Sequence, residues 1–307
     1  MAKQSWFFYN RLYFSDAFYN KQLFESQAID EWDIRPDDIV VVTYPKSGTY
    51  WMLKAVSSLK TDLNLILPQT ERSVRIDMLY EDDTHLSGSY AERVKAVKKF
   101  FHEMPSPRLL YFHLPPQFLP RKWIEGEKKC KVICVSRNPK DVCVSEYLFQ
   151  KTLGEHGMDF TWDEWVIAFM EGKVRFGSWL ENVVGWNRYG LKDNVLHVRF
   201  EDMKKDLRSV LATVADFLDC PKTKEELDNV TERCTFTSMR KGQEFYQKYS
   251  PFGDGNSSCS EKRHLRKGQV GDWKNHFTVA QNELFDAEIT QRAEQHGLKF
   301  VYDTSNE

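Results

Sequence analysis

Ile39-Val40-Val41-Val42-Thr43-Tyr44-Pro45-Lys46-Ser47-Gly48-Thr49-Tyr50-Trp51 changes its period partway along. Ile39 to Val42 form a β-branched run long enough for a strand buried on both faces. Pro45 has no N–H for a ladder and stops the strand. Gly48 permits a tight turn that a Cβ would obstruct. Then Trp51, Met52, Ala55, Val56 and Leu59 repeat at helical spacing, which predicts a helix from Thr49 to about Lys60. Strand, tight loop and helix in that order aim backbone N–H groups and the positive helix end at one point. Lys46 adds a charge there, and Ser47 and Thr49 add hydroxyls. The loop reads as an anion site suited to a phosphate. An ordinary βα turn with a solvated lysine would look the same, because the consensus G-x-x-x-x-G-K-[ST] is absent.

Two further stretches read as buried strands ending in polar residues. Arg108-Leu109-Leu110-Tyr111-Phe112-His113-Leu114-Pro115-Pro116 ends an apolar run at His113, and its prolines fix the exit path. Open α/β sheets bind ligands at the carboxyl ends of their strands, so His113 is either a site residue or a histidine on the surface. Cys130 to Ser136 runs into Arg137-Asn138-Pro139-Lys140-Asp141-Val142-Cys143-Val144-Ser145, where Pro139 opens a helix and Asp141 suits its dipole. Val195 to Phe200 is a further strand, and Leu207 to Leu218 an amphipathic helix. Trp162, Trp165, Val166, Phe169 and Met170, like Phe176, Trp179, Leu180, Val183 and Val184, have helical spacing and read as core.

The chain has 307 residues, 41% hydrophobic and 29% charged, with a net charge of −2. That suits a globular protein and argues against a nucleic-acid partner held by bulk electrostatics. No run approaches the roughly 18 apolar residues of a membrane span, and the segment after Met1 lacks the apolar core of a signal peptide. The six cysteines show no C-x-x-C pair and no Cys/His metal spacing, as in a reduced, cytoplasmic protein. Residues 1–30 are rich in aromatics and read as a cover segment, and Thr61 to Met104 as a loop or partial cover. Residues 244–262 are too rich in Gly, Ser, Asn and Pro for regular structure and read as a mobile loop. In Arg266-Lys267-Gly268-Gln269-Val270-Gly271-Asp272-Trp273-Lys274, two cations followed by two glycines suit a phosphate, or a solvated basic turn.

Taken together, these motifs resemble the cytosolic sulfotransferases. T-Y-P-K-S-G-T-x-W at 43–51 is similar to that family's phosphosulfate-binding loop. The stretch at 108–115, R-N-P-K-D-V-x-V-S at 137–145 and R-K-G-x-x-G-D-W-K at 266–274 follow in family order. Cys234 to Met239 resembles its T-S-F-x-x-M segment, with Cys234 in place of the threonine. The resemblance covers roughly residues 30 to 300. It implies a single α/β domain over 1–307, with a central parallel sheet flanked by helices and related to the P-loop kinases. The implied cofactor is 3′-phosphoadenosine 5′-phosphosulfate (PAPS), the product adenosine 3′,5′-bisphosphate (PAP), and no metal is required.

The resemblance also implies roles. His113 would take the acceptor's proton, as an imidazole can near neutral pH. Lys46 would neutralise charge on the leaving phosphate, with Ser145 holding Lys46 or a phosphate oxygen. Ser47, Gly48, Thr49 and Tyr50 would complete the loop. Arg137, Ser145, Arg266, Lys267 and Gly268 would grip the second phosphate. Trp51 and Phe236 would sandwich adenine, with Phe200, Thr235 and Met239 nearby. Tyr111, Phe112, Tyr147 and Phe149 would line a mostly apolar acceptor pocket for a phenol, steroid, other alcohol or amine. Lys274, Thr278, Val279 and Glu283 fit the family's short dimer motif. Tyr111 stands where the family has lysine, and Phe200 where it has tyrosine. These departures keep open an inactive, nucleotide-binding homologue beside the active enzyme. A P-loop kinase is disfavoured, because the Walker pattern is missing.

Overall fold

In the computed structural model, the structure describes residues 6–15, 21–25, 34–60, 74–75, 92, 95, 99, 102–124, 129–152, 158–189, 193–246 and 265–303. In chain order, β1 (Trp6–Tyr9), β2 (Leu12–Ser15), α1 (Lys21–Glu25), β3 (Ile39–Thr43) and α2 (Thr49–Leu59) come first. They are followed by β4 (Val74–Arg75), β5 (Leu109–Phe112), α3 (Arg121–Ile124), β6 (Lys131–Ser136) and α4 (Pro139–Thr152). Next come α5 (Trp162–Glu171), α6 (Trp179–Tyr189), β7 (Val195–Arg199), α7 (Phe200–Lys205) and α8 (Leu207–Phe217). The last labelled helices are α9 (Lys224–Arg233), α10 (Phe236–Tyr246) and α11 (Val279–Phe285).

The fold is α/β. Its central sheet has the order β4-β5-β3-β6-β7, and each pairing is parallel. Side chains alternate across a strand, so the sheet divides the core in two. Val40, Val42, Leu110, Phe112, Val132 and Cys134 join one cluster with Trp165 and Phe169 of α5 and Trp179 and Trp186 of α6. Ile39, Val41, Leu109, Ile133 and Val135 join the other with Met52 and Val56 of α2, Leu211 of α8 and Val230 of α9. Burial on both faces explains the unbroken apolar run of β3. Asp38, just before β3, is buried and paired in a fork with Arg108, whose Nε donates at 2.7 Å. That pair ties the starts of β3 and β5 together.

Helix α2 begins at Thr49 as expected and ends at Leu59, with the Lys60 N–H capping on the Val56 carbonyl. Phe200, expected to finish a strand, opens α7. The aromatic start forms an antiparallel hairpin of β1 and β2, with Phe14 packed on Phe24 and Phe118. Of the expected loop at 61–104, most lies outside the described residues, and Val74–Arg75 adds an edge strand beside β5. Of the expected mobile loop, 244–246 close α10 and 247–262 lie outside the described residues. Among the described residues no helix is long and apolar enough to cross a membrane.

Candidate active site

The carboxyl ends of β3, β5, β6 and β7 bring Lys46, His113, Arg137 and Phe200 onto one cavity. The loop after β3 turns back with Lys46 and Gly48 both left-handed, at φ 65° and 112°. A Cβ on Gly48 would stand 3.1 Å from the Phe200 ring, so this position needs glycine for both reasons. Lys46 Nζ lies 4.2 Å from the centre of the Phe149 ring. Burial lowers its pKa to about 8; Glu146 opposes the fall, while Arg137 and Arg266 add to it.

Arg137 leaves β6 and binds two loops. Its Nη1 donates to the Lys46 carbonyl at 3.2 Å and its Nη2 to the Gln269 carbonyl at 2.9 Å, with the guanidinium 4.2 Å over Phe200. The basic turn is held from below. Arg266 and Lys267 donate to opposite oxygens of Asp272 at 2.5 and 2.6 Å. Asp141, in the first turn of α4, accepts from the Gly271 and Trp273 N–H groups at 2.9 and 3.0 Å. Gly268 has φ 60°, and a Cβ there would lie 2.5 Å from the Phe236 ring. The ring and the basic turn can meet only because residue 268 is glycine.

His113 is buried, with 9% of its surface exposed. Its Nδ1 lies 2.9 Å from the Thr43 carbonyl oxygen and 3.1 Å from Thr43 Oγ1. A carbonyl oxygen can only accept, so Nδ1 carries the proton and Nε2 keeps the lone pair. Tyr111 and Phe176 flank the imidazole edge-on, at 5.4 and 5.3 Å between ring centres. The His113 carbonyl is anchored by Asn182 Nδ2 at 2.6 Å.

Most of the expected residues share this cavity. From the β3 loop come Lys46, Gly48, Thr49, Tyr50 and Trp51; from β5 and α4, Tyr111, His113, Ser145 and Phe149. From the carboxyl-terminal half come Phe200, Phe236, Met239, Arg266, Lys267 and Gly268. Four expected residues do not line it. Phe112 points to the opposite face of the sheet and packs on Trp186 in the core. Tyr147 lies across α4 against Trp162 and Trp165. Thr235 caps α10, its hydroxyl accepting from the Ser238 N–H. Ser47 is buried beneath the loop, its hydroxyl without a hydrogen-bond partner among the described residues.

The sequence reading missed Glu146, Arg175 and Phe176 on the wall, and Thr43 and Asp272 behind it. Glu146 follows Ser145 and precedes Phe149 by three residues, a helical spacing that would have placed it on the cavity side. Beside its apolar and aromatic residues, the cavity wall also carries Glu146 and Arg175. Cations cluster at two places: Lys46 by the β3 loop, and Arg137, Arg266 and Lys267 by the basic turn. The aromatic rings Trp51 and Phe236 share the wall with them. Left-handed glycines allow close backbone approach, so this wall could hold a planar ring and two anionic groups.

Comparison with known proteins agrees with this geometry. Residues 36–297 match the family model described as a sulfotransferase domain. The chain is 33% identical to sulfotransferase 1E1 of Bos taurus over 282 residues, 92% of either chain. It is 35% identical to sulfotransferase 2B1 of Mus musculus, covering 92% of this chain and 78% of that one. The crystal structure of mouse sulfotransferase SULT7A1 complexed with PAP superposes with a TM-score of 0.71 at 27% identity, covering 94% of this chain and 95% of that one. With both the family model and these relatives spanning most of its length, the chain belongs to the sulfotransferase family and is a PAPS-dependent sulfotransferase.

Proposed function

We propose that this chain moves the sulfuryl group of PAPS to a hydroxyl or amine of a small acceptor, with His113 as base. The observation that carries this reading is the contact of His113 Nδ1 with the Thr43 carbonyl, which leaves a basic Nε2 in a cavity also lined by Lys46. His113 takes the acceptor proton at Nε2 as the new bond to sulfur forms. The bond from sulfur to the bridging oxygen breaks, and Lys46 covers the charge that gathers on that oxygen. Ser145 orients Lys46 or a phosphate oxygen. Arg137, Arg266, Lys267 and the Gly268 backbone hold the 3′-phosphate, and the β3 loop the 5′ side, with Ser47, Thr49 and Tyr50 as donors. Trp51 and Phe236 stack on adenine, with Phe200 and Met239 beside it. No metal enters this scheme.

The acceptor, a phenol, steroid, other alcohol or amine, sits against Tyr111, Phe149 and Phe176. The protein works in the cytoplasm as one domain over 1–307. It pairs weakly with a second copy through Lys274, Thr278, Val279 and Glu283, where Val279 is 76% exposed at the start of α11. A second reading, a nucleotide-binding homologue without turnover, draws on Tyr111 standing where the family has lysine. Incubation with radiolabelled PAPS and a panel of acceptors decides between them. Labelled product supports the enzyme. A thermal shift with PAP but no product from any acceptor would favour the binder.

A further inference from the structure

Arg175 reaches the cavity from the turn between α5 and α6, and distant parts of the fold pin that turn. The Gly177 N–H donates to the Val174 carbonyl at 2.9 Å, which closes the chain over 174–177. Val174 and Phe176, on either side of Arg175, are buried. The Tyr44 hydroxyl, from the loop that carries Lys46, donates to the Gly177 carbonyl at 3.0 Å. The Phe176 ring stands edge-on to His113 at 5.3 Å, and the Arg175 guanidinium lies 5.4 Å from the centre of that ring. Glu146, buried on the same wall, feels the charges of both Lys46 and Arg175, which favour its ionised form. The turn thus brings a guanidinium to the wall that also carries His113 and Lys46.

We infer that Arg175 is a catalytic residue whose guanidinium binds the oxygens of the sulfuryl group during transfer. The inference rests on the proposed function, which gives the acceptor proton to His113 and the bridging oxygen to Lys46. The acceptor oxygen bonds to sulfur as its proton passes to Nε2, and the electron pair of the breaking bond stays on the bridging oxygen. The three other oxygens on sulfur carry negative charge throughout, and neither His113 nor Lys46 meets it. A cation set in advance against such oxygens lowers the barrier. The donor's 3′-phosphate takes up Arg137, Arg266 and Lys267, and its bridging oxygen takes up Lys46. Of the cations on the described wall, that leaves Arg175. Tyr111, the other ring beside the imidazole, is neutral near pH 7. A guanidinium also suits the task, because its planar fork of N–H donors can reach two oxygens on one centre together.

The test uses 1-naphthol, an uncharged phenol, as acceptor for wild type, Arg175→Gln and Arg175→Lys. In single turnover with PAPS and saturating naphthol, Arg175→Gln should form naphthyl sulfate about 10²-fold more slowly than wild type. Arg175→Lys keeps the charge without the fork and should lose only about 10-fold. Calorimetric titration without acceptor gives a second reading, because PAP keeps both phosphates and lacks the sulfuryl group. Arg175→Gln should weaken PAPS by roughly 5-fold and PAP by less than about 2-fold, and the retained PAP binding shows that the variant is folded. Equal losses for PAPS and PAP overturn the assignment. So does a rate that saturating naphthol restores to wild type, which would make Arg175 a part of the acceptor wall only. Failure of the function reading shows separately, as no naphthyl sulfate from wild type, while the two affinities still report on Arg175.

Discussion

His113 Nδ1 stands 2.9 Å from the main-chain oxygen of Thr43, the last residue of the central strand. The sheet itself thus fixes the tautomer of the imidazole, since a backbone carbonyl cannot be titrated or rotated away. Replacing His113 with Gln should keep the fold and the thermal shift given by PAP, while kcat falls by about 10²- to 10⁴-fold. Steady-state rates and thermal melts on one preparation check both halves. Near-normal kcat would remove His113 as the base.

Lys46 supplies a pH test. Burial, partly offset by Glu146, brings its pKa to about 8. In the free enzyme its ammonium is therefore lost as pH rises through that value, and kcat/KM for PAPS should decline above about pH 8. Lys46→Arg, which stays charged, should flatten this alkaline limb at a lower overall rate. The effect on stability has the opposite sense. From about 8 up to the ordinary lysine value the unfolded chain holds a proton that the folded chain has shed. This group therefore favours folding increasingly as pH rises across that window. Denaturant melts of wild type and Lys46→Met at pH 7.5 and 10 would show it as a difference that shrinks at pH 7.5 to 10.

Asp272 holds Arg266 and Lys267 in place. Burial would raise its pKa, but the hydrogen bonds from Lys267, Arg266 and Asn275 outweigh that and hold it well below the usual carboxylate range. Asp272→Asn should release both cations to solvent. Affinity for PAP should fall by roughly 10-fold, while affinity for adenosine 5′-phosphate changes by less than about 2-fold. Calorimetric titration with both nucleotides decides it, and equal losses would detach this trio from the 3′-phosphate.

Tyr111 packs edge-on to His113 at 5.4 Å between ring centres. Tyrosine is neutral near pH 7 and cannot supply a lysine's charge. Tyr111→Lys should raise the single-turnover rate by about 10-fold, the equivalent of about 1.4 kcal/mol in the barrier. Tyr111→Phe measures what the hydroxyl contributes. If Tyr111→Lys instead leaves the chemical step alone and raises KM for the acceptor, Tyr111 shapes the pocket and takes no part in the chemistry.

The misplaced residues show why some of the site was legible and some was not. Tyr111, Phe112 and His113 are consecutive on or just past β5, and alternation across the strand puts Phe112 on the far face. Tyr147 fails for the helical counterpart of the same reason, being two residues from Ser145 on α4. In both cases neighbours in sequence were read as neighbours in space. Glu146 was passed over because a lone glutamate on a helix is normally solvated, and only the packing around α4 removes it from water.

The resemblance to the sulfotransferases implied the parallel α/β class, and the sequence by itself determined the strand, loop and helix from Ile39 to Leu59 and the basic turn at 266–268. Both of these segments rest on local periodicity, on what proline and glycine permit, and on charge, all properties of short segments. The tertiary structure decided which face each residue presents, which nitrogen of His113 is basic, what steadies Arg266 and Lys267, and that the cavity wall holds a buried carboxylate. Each of those depends on segments far apart in the chain. Thr43 meets His113 across the sheet, Asp141 meets Gly271 across the cavity's edge, and Glu146 is desolvated by walls that other elements supply. Desolvation and long-range hydrogen bonds arise only when the chain is folded, so no short stretch of sequence contains them.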